Sequence, residues 1–551
     1  MMRRTDWIAG TAALLLALGL GNVAAAERPN ILLIMADDLG FSDLGSYGGE
    51  IDTPNLDALA AEGLRMSSFY TAPTCSPTRA MVMSGTDNHL VGLGSMAEVL
   101  PFLPQLQGRP GYEGHLNEHA HSLPALLGEA GYNTYLSGKW HLGKAPEQDP
   151  LRLGFDRAFV LLDGGASHFQ PLAGSQVRVE NVSYREDGQP VEVPADFFSS
   201  DFYTDKLIGY LEQGRASGRP FFAWAAYTAP HWPLHAPQEY IDKYRGRYDA
   251  GYEAIREQRL ARQRDSGLFP VAFPAAAPAD VPSPLWHQLG VHEQARQARR
   301  MEVYAAMVDH LDMNIGRLID YLKRSGQYDN TLILFISDNG AAGEDHAKGY
   351  SPADALTDDS LANIGRRGSN VNYGFRWAEV SSTPFSLVKG TAAEGGISSP
   401  AIVRLPASLA GGGAGQVIHD VGRVDDLLPT FLELAGQADP GDSFQGRPRH
   451  PVTGVSLLGA WQGRGMVRDR PLAGEMFGQP YVRLGDWKWR SAAAPDGSPA
   501  SLSQPYEWQL FNLAEDRGET RDLAAEYPDK VAELMRAWDE YAKWAGLPEA
   551  D

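Results

Sequence analysis

Cys75 is the only cysteine in 551 residues, and it stands in Pro73-Thr74-Cys75-Ser76-Pro77-Thr78-Arg79-Ala80. A lone cysteine has no internal disulfide partner. Its purpose is therefore chemical or intermolecular, or it is simply a small buried hydrophobe. Two acidic clusters accompany it. Asp37-Asp38 and Asp338-Asn339 each follow an apolar run and offer carboxylate and amide oxygens, the donors that calcium and magnesium prefer. Taken singly, each pair reads as turn chemistry or helix capping. Two such pairs at two strand ends of one sheet read better as a cation site. Calcium is favoured, because no cysteine or histidine competes within either cluster.

Cationic residues form a second set. Lys139 and Lys389 offer point charges to an anion, and Arg79 offers a fork of donors. His141 and His231 also follow apolar runs and belong to the residue type best suited to proton transfer near neutrality. Gly138, before Lys139, lets the backbone approach a ligand closely. His231 and His235 could equally form a metal pair, although neither has an evident carboxylate or cysteine partner. His115, His119 and His121 read as a solvated face.

Positioning these residues requires a sheet. Apolar runs at 30–36, 132–136, 221–228 and 331–337 each lead into one of the polar clusters, as buried parallel strands do. Helical patterns at 55–63, 122–131 and 299–325 separate them. Alternation of strand and helix predicts a doubly wound α/β sheet, whose ligands bind beyond the carboxyl ends of the strands. Residues 241–300 read as an exposed insertion, and 345–385 as polar loops. A composition shift near 437–441 marks a domain boundary. Beyond it, 481–490 and 508–513 suggest short antiparallel strands, and 528–545 an amphipathic helix.

The net charge of −21 argues against nucleic acid or an anionic membrane as partner. An anionic substrate therefore needs a local cationic pocket. Residues 1–26 read as a cleaved export signal, with Arg3 and Arg4 before an apolar stretch and Ala24-Ala25-Ala26 at its end. With a single cysteine and no further stretch long enough to span a bilayer, the chain is expected to be a bacterial periplasmic or secreted enzyme. The expected division is a catalytic domain at 27–440 and a smaller α+β unit at 441–551.

Cys75-Ser76-Pro77-Thr78-Arg79 through Gly85, and 131–141 with Gly138-Lys139-Trp140-His141, resemble the two signatures of the type I, formylglycine-dependent sulfatases. The flanks are similar to those of bacterial arylsulfatases, notably Gly111-Tyr112-Glu113-Gly114, 229–234, Lys389-Gly390 and Glu394-Gly395-Gly396. Ser84 departs from the more frequent Thr or Ala without touching a catalytic position. The resemblance implies an alkaline-phosphatase-like fold: a large, mostly parallel mixed sheet between helices, with a C-terminal antiparallel sheet. It implies hydrolysis of sulfate monoesters by a formylglycine made from Cys75 by a maturation enzyme. Asp37, Asp38, Asp338, Asn339 and residue 75 would hold calcium. Arg79 would stabilise the hydrated aldehyde, and His141 would be its base. Lys139 and Lys389 would bind sulfate, and His231 would protonate the leaving oxygen. Phosphate or phosphonate monoester hydrolysis is the alternative activity. A non-catalytic binder of sulfated ligands is the alternative class should Cys75 stay unmodified.

Overall fold

The computed structural model describes residues 28–270, 272–344, 353–411, 413–491 and 507–548. The export signal read at 1–26, and residues 345–352 of the expected polar loops, lie outside the described residues.

The first apolar run forms β1, Asn30–Ala36, buried along its whole length. Its side chains alternate between two cores. Leu32, Ile34 and Ala36 join one, and Ile31, Leu33 and Met35 join the other. This is the period of two expected of a strand covered on both faces. On the first face lie Leu311, Ile315 and Leu318 of the helix Val291–Arg324, with Leu207 and Leu211 of Ser199–Gly214. On the second lie Met81 and Met83 of Cys75–Ser84, Leu123 and Leu127 of Leu123–Glu129, and Leu428 and Phe431 of Leu427–Leu434. Each large apolar side chain buried this way contributes about 1.5–3 kcal/mol, so covering both faces is what makes a sheet of this size stable.

In chain order the sheet continues with β2 (Leu64–Tyr70), β3 (Asn133–Lys139), β4 (Arg157–Leu161), β5 (Tyr184–Glu186), β6 (Gln189–Val191) and β7 (Phe221–Ala226). It is completed by β8 (Thr331–Ser337), β9 (Ser398–Arg404), β10 (Gln416–Ile418) and β11 (Gly422–Arg423). The spatial order is β10-β2-β9-β8-β1-β7-β3-β4-β5-β6, with β11 also on β2. Strands β8, β1, β7, β3 and β4 run parallel. β9 is antiparallel to both neighbours, and β5 and β6 turn antiparallel at the far edge. The four expected strands are thus adjacent, and their carboxyl ends share one rim.

A second, four-stranded antiparallel sheet (Leu472–Met476, Gln479–Leu484, Trp487–Ser491 and Trp508–Asn512) packs against the final helix, Pro528–Ala545, around Trp489, Leu510 and Leu534. Residues 481–490 are therefore a hairpin, turned at Gly485-Asp486, rather than one strand.

Two expectations need adjustment. The described part of 241–300 lies mostly at the surface, as expected, but is not exposed throughout. Tyr244 and Tyr248 are buried, and Arg259 on the helix Tyr252–Asp265 is fully enclosed. Its donors meet Asp43 at 2.6 Å and Glu50 at 2.7 Å. An arginine-rich helix reads as solvated, yet a guanidinium whose fork is matched by carboxylates can be buried. Nor do the three histidines form one solvated face. His119 is exposed, but His121 is enclosed and its Nε2 pairs with the Gly441 carbonyl at 2.9 Å. Within the expected loops, Phe375–Ser381 is a mostly buried helix.

Candidate active site

Four strand ends and one helix start converge at the rim. β1 delivers Asp37 and Asp38, with Asp38 held at φ +67°. β8 delivers Asp338 and Asn339, and the Asp338 backbone N–H donates to Ala36 O at 3.1 Å, locking the two acidic pairs together. β3 ends at Lys139, followed by Trp140 and His141, and β7 leads to His231. The chain after β2 opens the helix Cys75–Ser84 at Cys75 itself.

The thiol of Cys75 lies 3.4 Å from Asp37 Oδ1 and 3.7 Å from Asp38 Oδ1. Arg79, one turn along the same helix, donates from Nε and Nη2 to Asp338 Oδ2 at 3.0 and 2.8 Å, and from Nη1 to Lys139 O at 2.8 Å. Lys139 Nζ donates to both oxygens of Asp37, and Lys389 Nζ to both oxygens of Asp38. His231 Nε2 is 3.5 Å from Asp38 Oδ2. All ten residues singled out from the sequence therefore fall in or beside one buried cluster. His141 joins it through its neighbour Lys139, while its Nε2 pairs outward with Glu98 at 3.0 Å.

Burial sets the electrostatics. It pushes the Asp37 carboxyl up, reinforced by Asp338. Against the same burial, Lys389 and then His231 hold Asp38 well below the usual carboxylate range. Cys75 is driven well above an ordinary thiol by burial and then by Asp338. Such a thiol is a poor nucleophile as it stands, since the thiolate is the reactive form. Burial drives His231 well below an ordinary imidazole, against the opposing pull of Asp38.

Asp37, Asp38, Cys75 and His231 offer ligand atoms within 4.8 Å of one another. Asn339 donates from Nδ2 to Asp38 Oδ1 at 2.7 Å, yet its buried Oδ1 has no hydrogen-bond partner among the described residues. An unsatisfied buried carbonyl beside crowded carboxylates is costly in a dry site. A hard cation satisfies both, so this donor set fits calcium or magnesium.

The sequence reading missed three residues. Glu98 lies in an irregular segment with no periodicity to reveal it. Gly164 and Gly165 follow β4, and a Cβ added to them would lie 2.7 Å from the His141 ring and 2.8 Å from the His231 ring. A double glycine after a strand signals such a close approach. Gly138, by contrast, is required by its own sheet, because an added Cβ would meet Ala226 O at 1.9 Å. Trp140 is wholly core, with Nε1 donating to Gln148 O.

This rim of acidic pairs, lysines and histidines at the carboxyl ends of a mixed α/β sheet is the architecture of a sulfuric ester hydrolase. The sulfatase family model matches residues 29–437, and the chain belongs to that family. An uncharacterised sulfatase of Schizosaccharomyces pombe is 42% identical over 544 residues, covering 96% of each chain. The arylsulfatase of Klebsiella aerogenes is 38% identical over 465 residues, covering 82% of this chain and 95% of its own. Among solved structures, Ps i-CgsB in complex with k-i-k-neocarrahexaose superposes with a TM-score of 0.64 at 25% identity, covering 94% of this chain and 93% of that one. The protein hydrolyses sulfate esters.

Proposed function

We propose that the protein is an arylsulfatase-type enzyme that works through a formylglycine at position 75 and a bound calcium ion. The observation that carries this reading is the seat of Cys75. It is the first residue of a helix, 1% exposed, in contact with Asp37 and Asp38 and facing a set of oxygen donors that includes the unsatisfied Asn339 Oδ1. A buried thiol of raised pKa has little use there as a thiol. Its burial supports conversion by a maturation enzyme before the chain closes.

Asp37, Asp38, Asp338 and Asn339, with residue 75, would hold the cation. When present, the cation and the modified side chain supply Lewis acidity and an activated oxygen nucleophile. The remaining work belongs to the chain's own residues. Arg79 fixes Asp338 and the Lys139 carbonyl, so it orients the donor set rather than standing free to meet the substrate. Lys139 and Lys389 bring positive charge to the sulfate oxygens within an acidic molecule, and in a dry site that charge counts for more than in water. His231 pairs Nδ1 with the Trp232 carbonyl, which leaves Nε2 to carry the proton to the leaving oxygen. An anionic ester beside this ring favours its protonated form.

An aryl leaving group fits the wall next to His231, where Trp232 lies 5.0 Å from it in a tilted stack and packs with Val177 and Val179. The leader at 1–26 supports an exported, periplasmic or secreted enzyme. No described helix is long and apolar enough to cross a membrane.

The test is mass spectrometry of the Cys75 peptide from the native host, paired with turnover of 4-nitrophenyl sulfate and 4-nitrophenyl phosphate. We expect an aldehyde or its hydrate at position 75 and a clear preference for the sulfate. An intact thiol in active protein rules out this route, and a preference for phosphate overturns the substrate class.

A further inference from the structure

We propose that Glu98 is the positioning residue of His141. It holds the ring with its N–H at Nε2, so that the Nδ1 lone pair is kept free to take a proton in the site. The proposal rests on the reading above that His141 serves residue 75.

The geometry is specific. Glu98 Oε2 lies 3.0 Å from His141 Nε2, and its other oxygen, Oε1, lies 3.1 Å from Arg178 Nη2. His141 Nδ1 is buried and has no hydrogen-bond partner among the described residues. The ring is also confined from a second side, because Gly164 packs so closely that a Cβ there would stand 2.7 Å from both Cε1 and Nε2. The backbone is confined as well: His141 sits at φ +58°, a conformation non-glycine residues keep only where their surroundings impose it.

The assignment of the proton follows from the inventory of donors. Burial, with Lys139 and Arg79, favours the neutral imidazole, while Glu98 pulls the other way. Against the upward push of its own burial, Glu98 is held well below the usual carboxylate range by His141 and then Arg178. An ionised carboxylate only accepts, and a neutral imidazole has one N–H to give. That N–H is therefore at Nε2, and Nδ1 is the basic nitrogen. The logic is that of a carboxylate orienting a catalytic histidine. The charges acting on His141, namely Glu98, Lys139, Arg79 and, through Glu98, Arg178, all lie in or against this rim. Lys139 and Arg79 act on Cys75 as well.

The test uses the full chain with histidine nitrogen labelled, in wild type, Glu98→Gln and Glu98→Ala, with His141→Ala to identify the His141 signals. Two-bond nitrogen–proton spectra report the tautomer without any turnover. We expect the Nε2–H form in wild type, its retention in Glu98→Gln, whose amide oxygen still accepts, and its loss in Glu98→Ala. In matured enzyme, with aldehyde content measured for each variant, kcat of Glu98→Ala falls about 10²-fold while KM stays within about twofold. Glu98→Gln stays within about tenfold of wild type. An Nδ1–H wild type, or a Glu98→Ala protein with unchanged tautomer and kcat, overturns the proposal. So does a Glu98→Gln protein as slow as Glu98→Ala with the Nε2–H form intact. If Glu98→Ala does not fold, the wild-type tautomer and the Glu98→Gln pair of readouts still decide. Should His141→Ala leave kcat unchanged, the role of His141 in turnover fails, while the tautomer still judges Glu98.

Discussion

Lys139 grips Asp37 with both carboxylate oxygens in reach of one ammonium, at 2.9 and 2.8 Å, and both side chains are fully enclosed. The residue proposed to meet the sulfate is thus also the counter-charge of a residue proposed to meet the cation. Substrate charge and metal charge are balanced in one buried set.

Lys139→Ala therefore strikes twice. Removing one partner of a buried pair costs about 3–5 kcal/mol, and removing a charge aimed at the transition state costs about 10²–10³-fold in kcat. Thermal unfolding of the variant is expected to recover in part on adding calcium, because a divalent cation replaces the missing positive charge beside Asp37. A melt unmoved by calcium would count against the shared balance.

Cys75 is expected to be inert until it is converted. Its thiol is 1% exposed and pushed well above the ordinary range by burial. Unmatured, folded protein at pH 8 should resist alkylation by iodoacetamide, and the same protein in denaturant should react fully. Mass spectrometry of the intact chain reads the difference, and rapid alkylation of the native protein would contradict the buried seat.

Asn339 offers a test of the cation that does not depend on turnover. Its Oδ1 is buried and without a hydrogen-bond partner among the described residues. A cation at a hundredfold excess over its Kd stabilises a fold by about 2.7 kcal/mol. Calcium added to chelator-treated protein should raise the melting temperature accordingly, and Asn339→Ala should lose more than half of that rise. An undiminished rise in the variant would remove Asn339 from the donor set.

How much of this was legible in the sequence depends on the kind of signal. Asp37, Asp338, Lys139 and His231 could be placed because each ends an apolar run, and buried strands of a parallel sheet bring such ends to one rim. Arg259 was misread for the opposite reason. Helix composition says arginine faces water, and only the folded chain shows Asp43 and Glu50 waiting for its donors. Glu98 left no trace, since a glutamate in an irregular segment has no period and its partner is 43 residues away. Arg79, expected to stabilise the hydrated aldehyde, also donates from Nε and Nη2 to Asp338 and from Nη1 to Lys139 O, contacts that only the folded chain shows.

The attachment of the C-terminal sheet makes a pH-dependent prediction. His89 is buried between Asp87, 3.1 Å from Nδ1, and Glu475 of the second sheet, 3.3 Å from Nε2. Tyr541 of the final helix donates to Asp87 Oδ2 at 3.0 Å. Burial alone would lower the His89 ring, but the hydrogen bonds to Asp87 and Glu475 outweigh it and raise the ring from 6.5 to about 9. A raised folded value means stability fully present below pH 6.5, where both folded and unfolded rings are protonated. Between 6.5 and 9 the unfolded chain gives up its proton and the folded chain keeps it, so the contribution drains away and is gone above 9. At about 1.4 kcal/mol per pKa unit, it amounts to roughly 3 kcal/mol. The stability difference between wild type and His89→Gln, from urea unfolding, should therefore shrink by about that amount from pH 6 to pH 9.5. A difference that stays level across this range would mean that His89 is neutral in the folded protein.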